Sequence, residues 1–267
     1  TGAWLPLAIL ATSLLVSPVI FVLPEQRVRL RTAVNIGAAL LKLGLVVYLG
    51  WQVAFLGASF EARLPVLPGM DLVLRADPLG LLFVSLSTGL WLLTTIYAVG
   101  YLEDAPHRSR FFGFFSLCVA STVGIAMAGN LFTFLIFYEA LTLATYPLVV
   151  HRETAKARRA GRIYLAYTLT GGAAVLLGTA WLAAAAGSLD FQPGGLLAAS
   201  SLPPHVLVPI FLLLVGGMAV KAAMVPVHGW LPVAMVAPAP VSALLHAVAV
   251  VKAGAFGIVR VVYEIFG

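Results

Sequence analysis

The sequence predicts an all-α, polytopic transmembrane helical bundle of about eight spans. Three observations predict it. Of 267 residues 61% are hydrophobic and 10% charged, with a mean hydropathy of +1.04, whereas soluble domains are about half apolar and a quarter charged. The apolar residues also fall in blocks: Trp4–Leu23, Leu79–Tyr101, Phe111–Gly129 and Ile163–Ala186 contain no Asp, Glu, Lys or Arg. A bilayer core takes about 20 apolar residues of helix, the length of each block. Barrel strands would instead show segments of about ten residues with alternating polarity.

The spans fall at about 4–23, 32–57, 79–101, 111–129, 131–150, 163–186, 206–228 and 241–263. Pro24-Glu25-Gln26-Arg27 ends the first, Ala128-Gly129-Asn130 turns tightly between the fourth and fifth, and the Gly187–Gly195 stretch opens a loop before the seventh. Residues 58–78, amphipathic and Pro-rich, form a short hairpin outside the membrane. In the seventh span Pro226, Pro232, Pro238 and Pro240 crowd one end, and each removes a backbone donor. A discontinuous helix follows, tolerated at membrane depth only when buried or lining a wet cavity, as in secondary transporters.

Lys and Arg concentrate in loops 24–31, 102–110 and 151–162, against Arg63, Arg75 and Arg260 on the other side. The positive-inside rule makes those loops cytoplasmic and the N-terminus outside, in the cell (inner or plasma) membrane. The net charge of +6 is therefore a topology signal, and nucleic acid is excluded as a partner. The lone cysteine, Cys118, rules out disulfides and CxxC sites within the chain. No Walker loop, GxGxxG, GxSxG or metal-spaced His/Cys cluster occurs. No metal or cofactor is expected, and the isolated chain is not an enzyme. The first residue is Thr1 rather than Met, so a processed chain or a piece of a longer one is expected.

Function then rests on charges inside the spans. Lys221 is the one formally charged residue from Phe191 to Val251. It lies about 22 Å along its helix from Val206, able to snorkel only toward the prolines. Glu139 is eight residues into the fifth span and Lys252 mid-way along the eighth. Intramembrane ionisable residues are costly and mark ion paths or pairs. His246, six residues before Lys252, is placed about 9 Å and 120° away and can relay protons; a packing role is the alternative. His228 is a candidate for proton entry at the broken helix. Lys42, about 16 Å from the Arg31 end of its span, is expected to face lipid or to snorkel.

Two stretches then carry a resemblance: Lys221-Ala222-Ala223-Met224-Val225-Pro226-Val227-His228-Gly229-Trp230-Leu231-Pro232, and Ala237-Pro238-Ala239-Pro240-Val241-Ser242-Ala243-Leu244-Leu245-His246. Arg110-Phe111-Phe112, Gly129-Asn130-Leu131, Tyr138-Glu139 and Tyr146-Pro147-Leu148 extend it over nearly the whole chain. The sequence resembles the proton-conducting membrane subunits of complex I, membrane-bound hydrogenases and Mrp-type multisubunit Na+/H+ antiporters. Its Val250–Gly257 ending looks closest to D-type antiporter subunits.

The resemblance implies that Glu139 and Lys221 form a gating pair, that Lys252 is the next station on a lateral axis, and that His246 matches a histidine of some members. It implies a first five-helix repeat over residues 111–263, preceded by three spans in 1–110, with the family's second inverted repeat missing. Either the chain is part of a longer subunit or a partner supplies the rest. Family members often carry an acid after Trp-Leu-Pro, where Val233 stands here. The expected partners are other membrane subunits, protons, possible Na+ and the lipid bilayer. The reading is cation/proton antiport. The alternatives are a proton-pumping subunit of an NADH:quinone oxidoreductase or hydrogenase, and a structural subunit.

Overall fold

The computed structural model describes residue 2, residues 4–67 and residues 70–267. Eight helical stretches among them are long and apolar enough to cross a membrane. The first span is two pieces, α1 (Trp4–Leu14) and α2 (Val16–Val22). Pro18 causes the joint, because its ring opposes the carbonyl four residues back and offers no N–H to it. α3 (Val28–Leu56) ends at Gly57, whose φ of 60° is the left-handed stop that glycine adopts without strain.

β1 (Phe60–Leu67) and β2 (Met70–Ala76) then pair antiparallel, Phe60 opposite Ala76 and Glu61 opposite Arg75. The hairpin expected over 58–78 is thus a true β-ribbon. Phe60 and Ala62 are buried on one face. On the other, Arg75 reaches Glu61 at 2.8 Å, and Arg63 bridges Asp71 at 3.3 Å and Asp190 at 3.1 Å. The ribbon clasps the turn between the next helices, with Gly129 N bonded to Val73 O (2.8 Å) and Arg75 N to Met127 O (2.6 Å). A side chain at Gly129 would strike Val73, so only glycine permits this approach.

α4 (Pro78–Tyr101) starts on Asp77, whose side chain accepts from Gly80 N at 2.8 Å, a proline-led helix start with its N-cap. α5 (Arg108–Ala126) is the hub of the bundle, with 15 buried residues. α6 (Leu131–Val149) is capped by Asn130, which accepts from Thr133 N at 2.8 Å. α7 (Ala155–Ala186) is capped by Thr154. At 32 residues α7 is about 48 Å long, well beyond a hydrocarbon core. Its first two turns carry Lys156–Arg162, so most of the basic stretch expected as loop is helix.

α7 packs on α8 (Pro204–Lys221) at bare backbone: a Cβ on Gly171 would lie 2.8 Å from the Gly217 carbonyl. After α8 the chain turns, forms α9 (Trp230–Ala234) and α10 (Ala239–Ala243), and enters the last span. That span is not continuous. Leu244–Val248 winds in wide π turns, Ala249 N bonding Leu244 O at 3.0 Å, before α11 (Val250–Arg260) and a second wide-turned stretch, Val261–Phe266. The extra residue changes the phase between His246 and Lys252, so the offset expected from a regular helix does not hold.

At the basic end the α6–α7 connection buries His151 against Phe111 (ring centroids 5.3 Å). Arg110 pairs with Glu153 and donates to the His151 carbonyl at 3.1 Å. Burial first, and the Arg110 charge second, push the His151 imidazole from 6.5 down to about 4. The unfolded chain therefore takes up a proton near pH 6.5 that the folded chain refuses until about pH 4. The stability this contributes is complete above pH 6.5 and drains away as pH falls toward 4. His151→Gln is expected to flatten the thermal midpoint of the detergent-purified protein between those pH values; an unchanged slope would discard the assignment.

Candidate proton-path site

The break after α8 creates the site. Where the helix stops, Ala222 N bonds the Met218 carbonyl at 2.9 Å and Ala223 N the Val220 carbonyl at 3.1 Å. Trp230 Nε1 donates to the Val220 carbonyl at 2.7 Å, and its buried ring meets Tyr164 edge-on at 5.5 Å. Ala223 adopts a left-handed φ of 54°, which turns the chain away from the helix axis. Pro226 follows in the turn and Pro232 lies within α9. α11 lies hard against this break: a Cβ on Gly254 would lie 2.8 Å from the Ala222 Cα.

Lys221 is the last residue of α8 and is 1% exposed. Its Nζ donates to the Tyr138 carbonyl at 2.5 Å and the Thr142 hydroxyl at 2.8 Å, and stands 3.3 Å from the centroid of the Tyr138 ring. Tyr138 is the eighth residue of the nineteen in α6, so Lys221 sits level with mid-helix. α8 stops at that level, and the side chain points into protein rather than along the helix toward the prolines.

Glu139 follows Tyr138 but turns away by one helical step. Its half-buried carboxylate lies against Gly172 of α7, where any Cβ would collide with it. Oε1 is buried with no hydrogen-bond partner among the described residues, as is the Tyr138 hydroxyl. The ammonium is thus held by a carbonyl, a hydroxyl and a ring on α6, beside the acid rather than bonded to it. Lys221, on α8, contacts the residue just before Glu139 on α6, and the two members of the expected pair make no ion pair among the described residues.

Beside Lys221 further hydroxyls and a thiol gather where α5, α6 and α7 meet. Tyr164 donates to the Thr142 carbonyl at 3.3 Å, Thr145 Oγ1 donates to the Leu141 carbonyl at 2.7 Å, and Cys118 Sγ lies 3.4 Å from Thr145 Oγ1. Thr142, Tyr164 and Trp230 are site residues that the sequence reading misses. The usable signal is spacing, since Thr142 is four residues after Tyr138 and shares its face.

The other expected stations stand apart. Lys252 is half-buried on α11, while His246, in the π-wound stretch, and His228, in the turn after α8, are exposed or partly so. None of the three hydrogen-bonds to Glu139 or Lys221 among the described residues. Lys42 differs from expectation. It is 0% exposed, with Nζ 2.5 Å from Ser13 Oγ and 4.6 Å from the Trp91 ring centroid, so it faces neither lipid nor water. Arg260, counted from sequence only as a terminal charge, is 2% exposed and bound to Asp77 at 2.6 Å and Glu264 at 2.7 Å.

Known proteins are similar to this chain in sequence and fold. The family model described as NADH:quinone oxidoreductase/Mrp antiporter, TM matches residues 128–266, and that of the complex I chain 5 N-terminus matches 69–112. The A/B component of a probable K(+)/H(+) antiporter of Rhizobium meliloti is 34% identical over 208 residues, 76% of this chain and 21% of that protein. The L component of the NADH-quinone oxidoreductase of Mycobacterium tuberculosis is 36% identical over 196 residues, 72% of this chain and 30% of that one.

The structure of the Mrp complex from a Dietzia species superposes with a TM-score of 0.82 at 26% identity, covering 94% of this chain and 27% of its counterpart. An archaeal membrane-bound sulfane sulfur reductase shares the fold at TM-score 0.82 and 22% identity, over 97% and 52%. The chain therefore spans less than a third of the length of these two curated relatives. Both are A/B- or L-type by name. With over half its length inside the first family model and a break, lysine and glutamate in one arrangement, the chain belongs to the antiporter-like, proton-conducting membrane subunits of complex I and Mrp antiporters.

Proposed function

We propose that the chain is the first proton-carrying half of a monovalent cation/proton antiporter subunit, working inside a multisubunit membrane complex. One observation carries the reading: a fully enclosed lysine ends a broken helix against Tyr138 of α6, whose neighbour in sequence is a glutamate with an orphaned oxygen. In this mechanism residues 111–263 form one transport unit. An ionised Glu139 draws the Lys221 ammonium toward itself, and a protonated Glu139 releases it to the Tyr138 carbonyl and Thr142 hydroxyl. That alternation passes a proton sideways toward Lys252, with His246 as relay and His228 at the entry. The exchanged cation is Na+ or K+, and the loops at 24–31, 102–110 and 151–162 face the cytoplasm.

The likeness to the L component favours a second reading, in which the same helices serve a redox-driven proton pump. A census of the complex separates the two. The natural complex, extracted in mild detergent, is expected to yield small membrane subunits by intact mass and no flavin or iron–sulfur absorbance. Redox subunits with that absorbance would replace the antiporter reading by the pump.

A further inference from the structure

Lys42 is a buried cation that the mechanism above does not use. It lies on α3, outside the unit that holds Glu139 and Lys221, and it is 0% exposed. No lipid headgroup and no neighbouring subunit can therefore reach it to balance its charge. α1, α2 and α4 pack on α3. α1 and α2 carry no ionisable side chain, and α4 carries only Tyr97 and Tyr101, both exposed. The ionisable groups on α3 itself are Arg29, Arg31 and Tyr48. No carboxylate faces Lys42 among these elements.

What does face it suits a group that is charged part of the time. The Ser13 hydroxyl accepts from Nζ at 2.5 Å, and the Trp91 ring stands 4.6 Å away, a face that attracts a cation. An ammonium has three donors, and one hydroxyl plus one ring leaves it under-coordinated in an apolar enclosure. A purely packing lysine would gather the hydroxyls around it. Instead Thr88 and Thr95, which share the Trp91 face of α4, are buried with no partner. Buried hydroxyls left this way are normally satisfied by ordered water.

Polar side chains mark the same face of α3 below this site. Arg31, Asn35 and Lys42 are all buried on one face of α3, four and seven residues apart, with Lys42 about 16 Å above Arg31. Asn35 donates to the Arg31 carbonyl at 3.0 Å, and Arg31 to Ser109 at 2.9 Å beside Glu25. There a cavity of about 160 Å³, lined by Arg31, Glu103 and Arg108, opens at the basic end.

We propose that Lys42 is a second proton-carrying residue, loaded by water along the buried face of α3 from the Arg31 cavity. The Nζ lone pair accepts a proton from the water line, and the ammonium returns it to water at Thr88 and Thr95. The line shares no residue with the Glu139–Lys221 route, and one transport cycle turns over both, so loss of either stops net flux.

The inference rests on the transport reading, so both are tested together in the natural complex reconstituted in proteoliposomes. Lys42→Met is expected to assemble with unchanged subunit masses while proton flux falls about a hundredfold, the low end of what a positioned proton carrier contributes. Asn35→Leu, which leaves Lys42 in place and dries the line, is expected to lower flux in the same direction. Wild-type flux and pH profile in either assembled variant would overturn the proposal. Lys221→Met run alongside separates the failures: if it is inactive while Lys42→Met is normal, only the Lys42 route falls, and if it is active the transport reading falls.

Discussion

Lys221→Met is expected to stop proton and cation movement while leaving the complex assembled. The substitution keeps an unbranched side chain of similar length at a site that is 1% exposed, so α8 should still end where it does. It removes every polar contact the side chain makes: the donation to the Tyr138 carbonyl, the donation to Thr142 and the charge over the Tyr138 ring. The carbonyl keeps its helical partner, and the thioether sits well against an aromatic ring. Stability should therefore change little, or rise, because a buried charge costs desolvation that an apolar side chain does not.

Flux should fall by about a hundredfold or more, because the group that moves the proton is gone. Lys221→Arg keeps a charge that cannot be given up and should also fail, which separates proton transfer from mere electrostatics. The check is dye-quench transport in everted vesicles, with subunit masses from the same preparation. A scaffold subunit would tolerate both changes, so normal flux in Lys221→Met would sink the Glu139–Lys221 mechanism.

The parts of this site that can be read from the chain are those governed by local chemistry. Span positions follow from apolar blocks, and the break after Lys221 from four prolines within fifteen residues. The interruption at Leu244–Val248 has no such mark, since the stretch contains neither Pro nor Gly. Its Val248 carbonyl accepts from Ser87, 161 residues away, and only the packed bundle makes that contact. Lys42 escapes a sequence reading for a related reason. Arg31, Asn35 and Lys42 share one face of α3, but the spacing alone does not say whether that face meets water or packed protein. The start of α7 reads as loop because basic residues mark membrane edges whether or not the backbone there is helical.

Arg260 shows the same limit with the larger structural consequence. Its Nη1 holds both oxygens of Glu264 at 2.7 Å, and Nη2 holds Asp77 at 2.6 Å across 183 residues of sequence. Asp77 is also the cap of α4, so one guanidinium ties the start of the third span to the end of the eighth. Phe256 and Phe191 cover it, with centroids at 4.9 and 5.4 Å. The 192–197 loop is pinned to the same place, Leu196 N bonding the Glu264 carbonyl at 3.0 Å.

Arg260→Met would leave two carboxylates facing each other, 20% and 19% exposed, with nothing to neutralise them. Removing one partner of a buried ionic group costs about 3–5 kcal/mol, a large share of the stability of most folds. The detergent-purified protein is expected to lose its thermal transition or assemble poorly. Arg260→Lys should recover only part, because a point charge cannot serve two acids as a planar fork does. The triple change Arg260→Met, Asp77→Asn, Glu264→Gln should be much milder than Arg260→Met alone, since no unpaired charge remains. If the single substitution melts like the wild type, the triad does not hold these spans together.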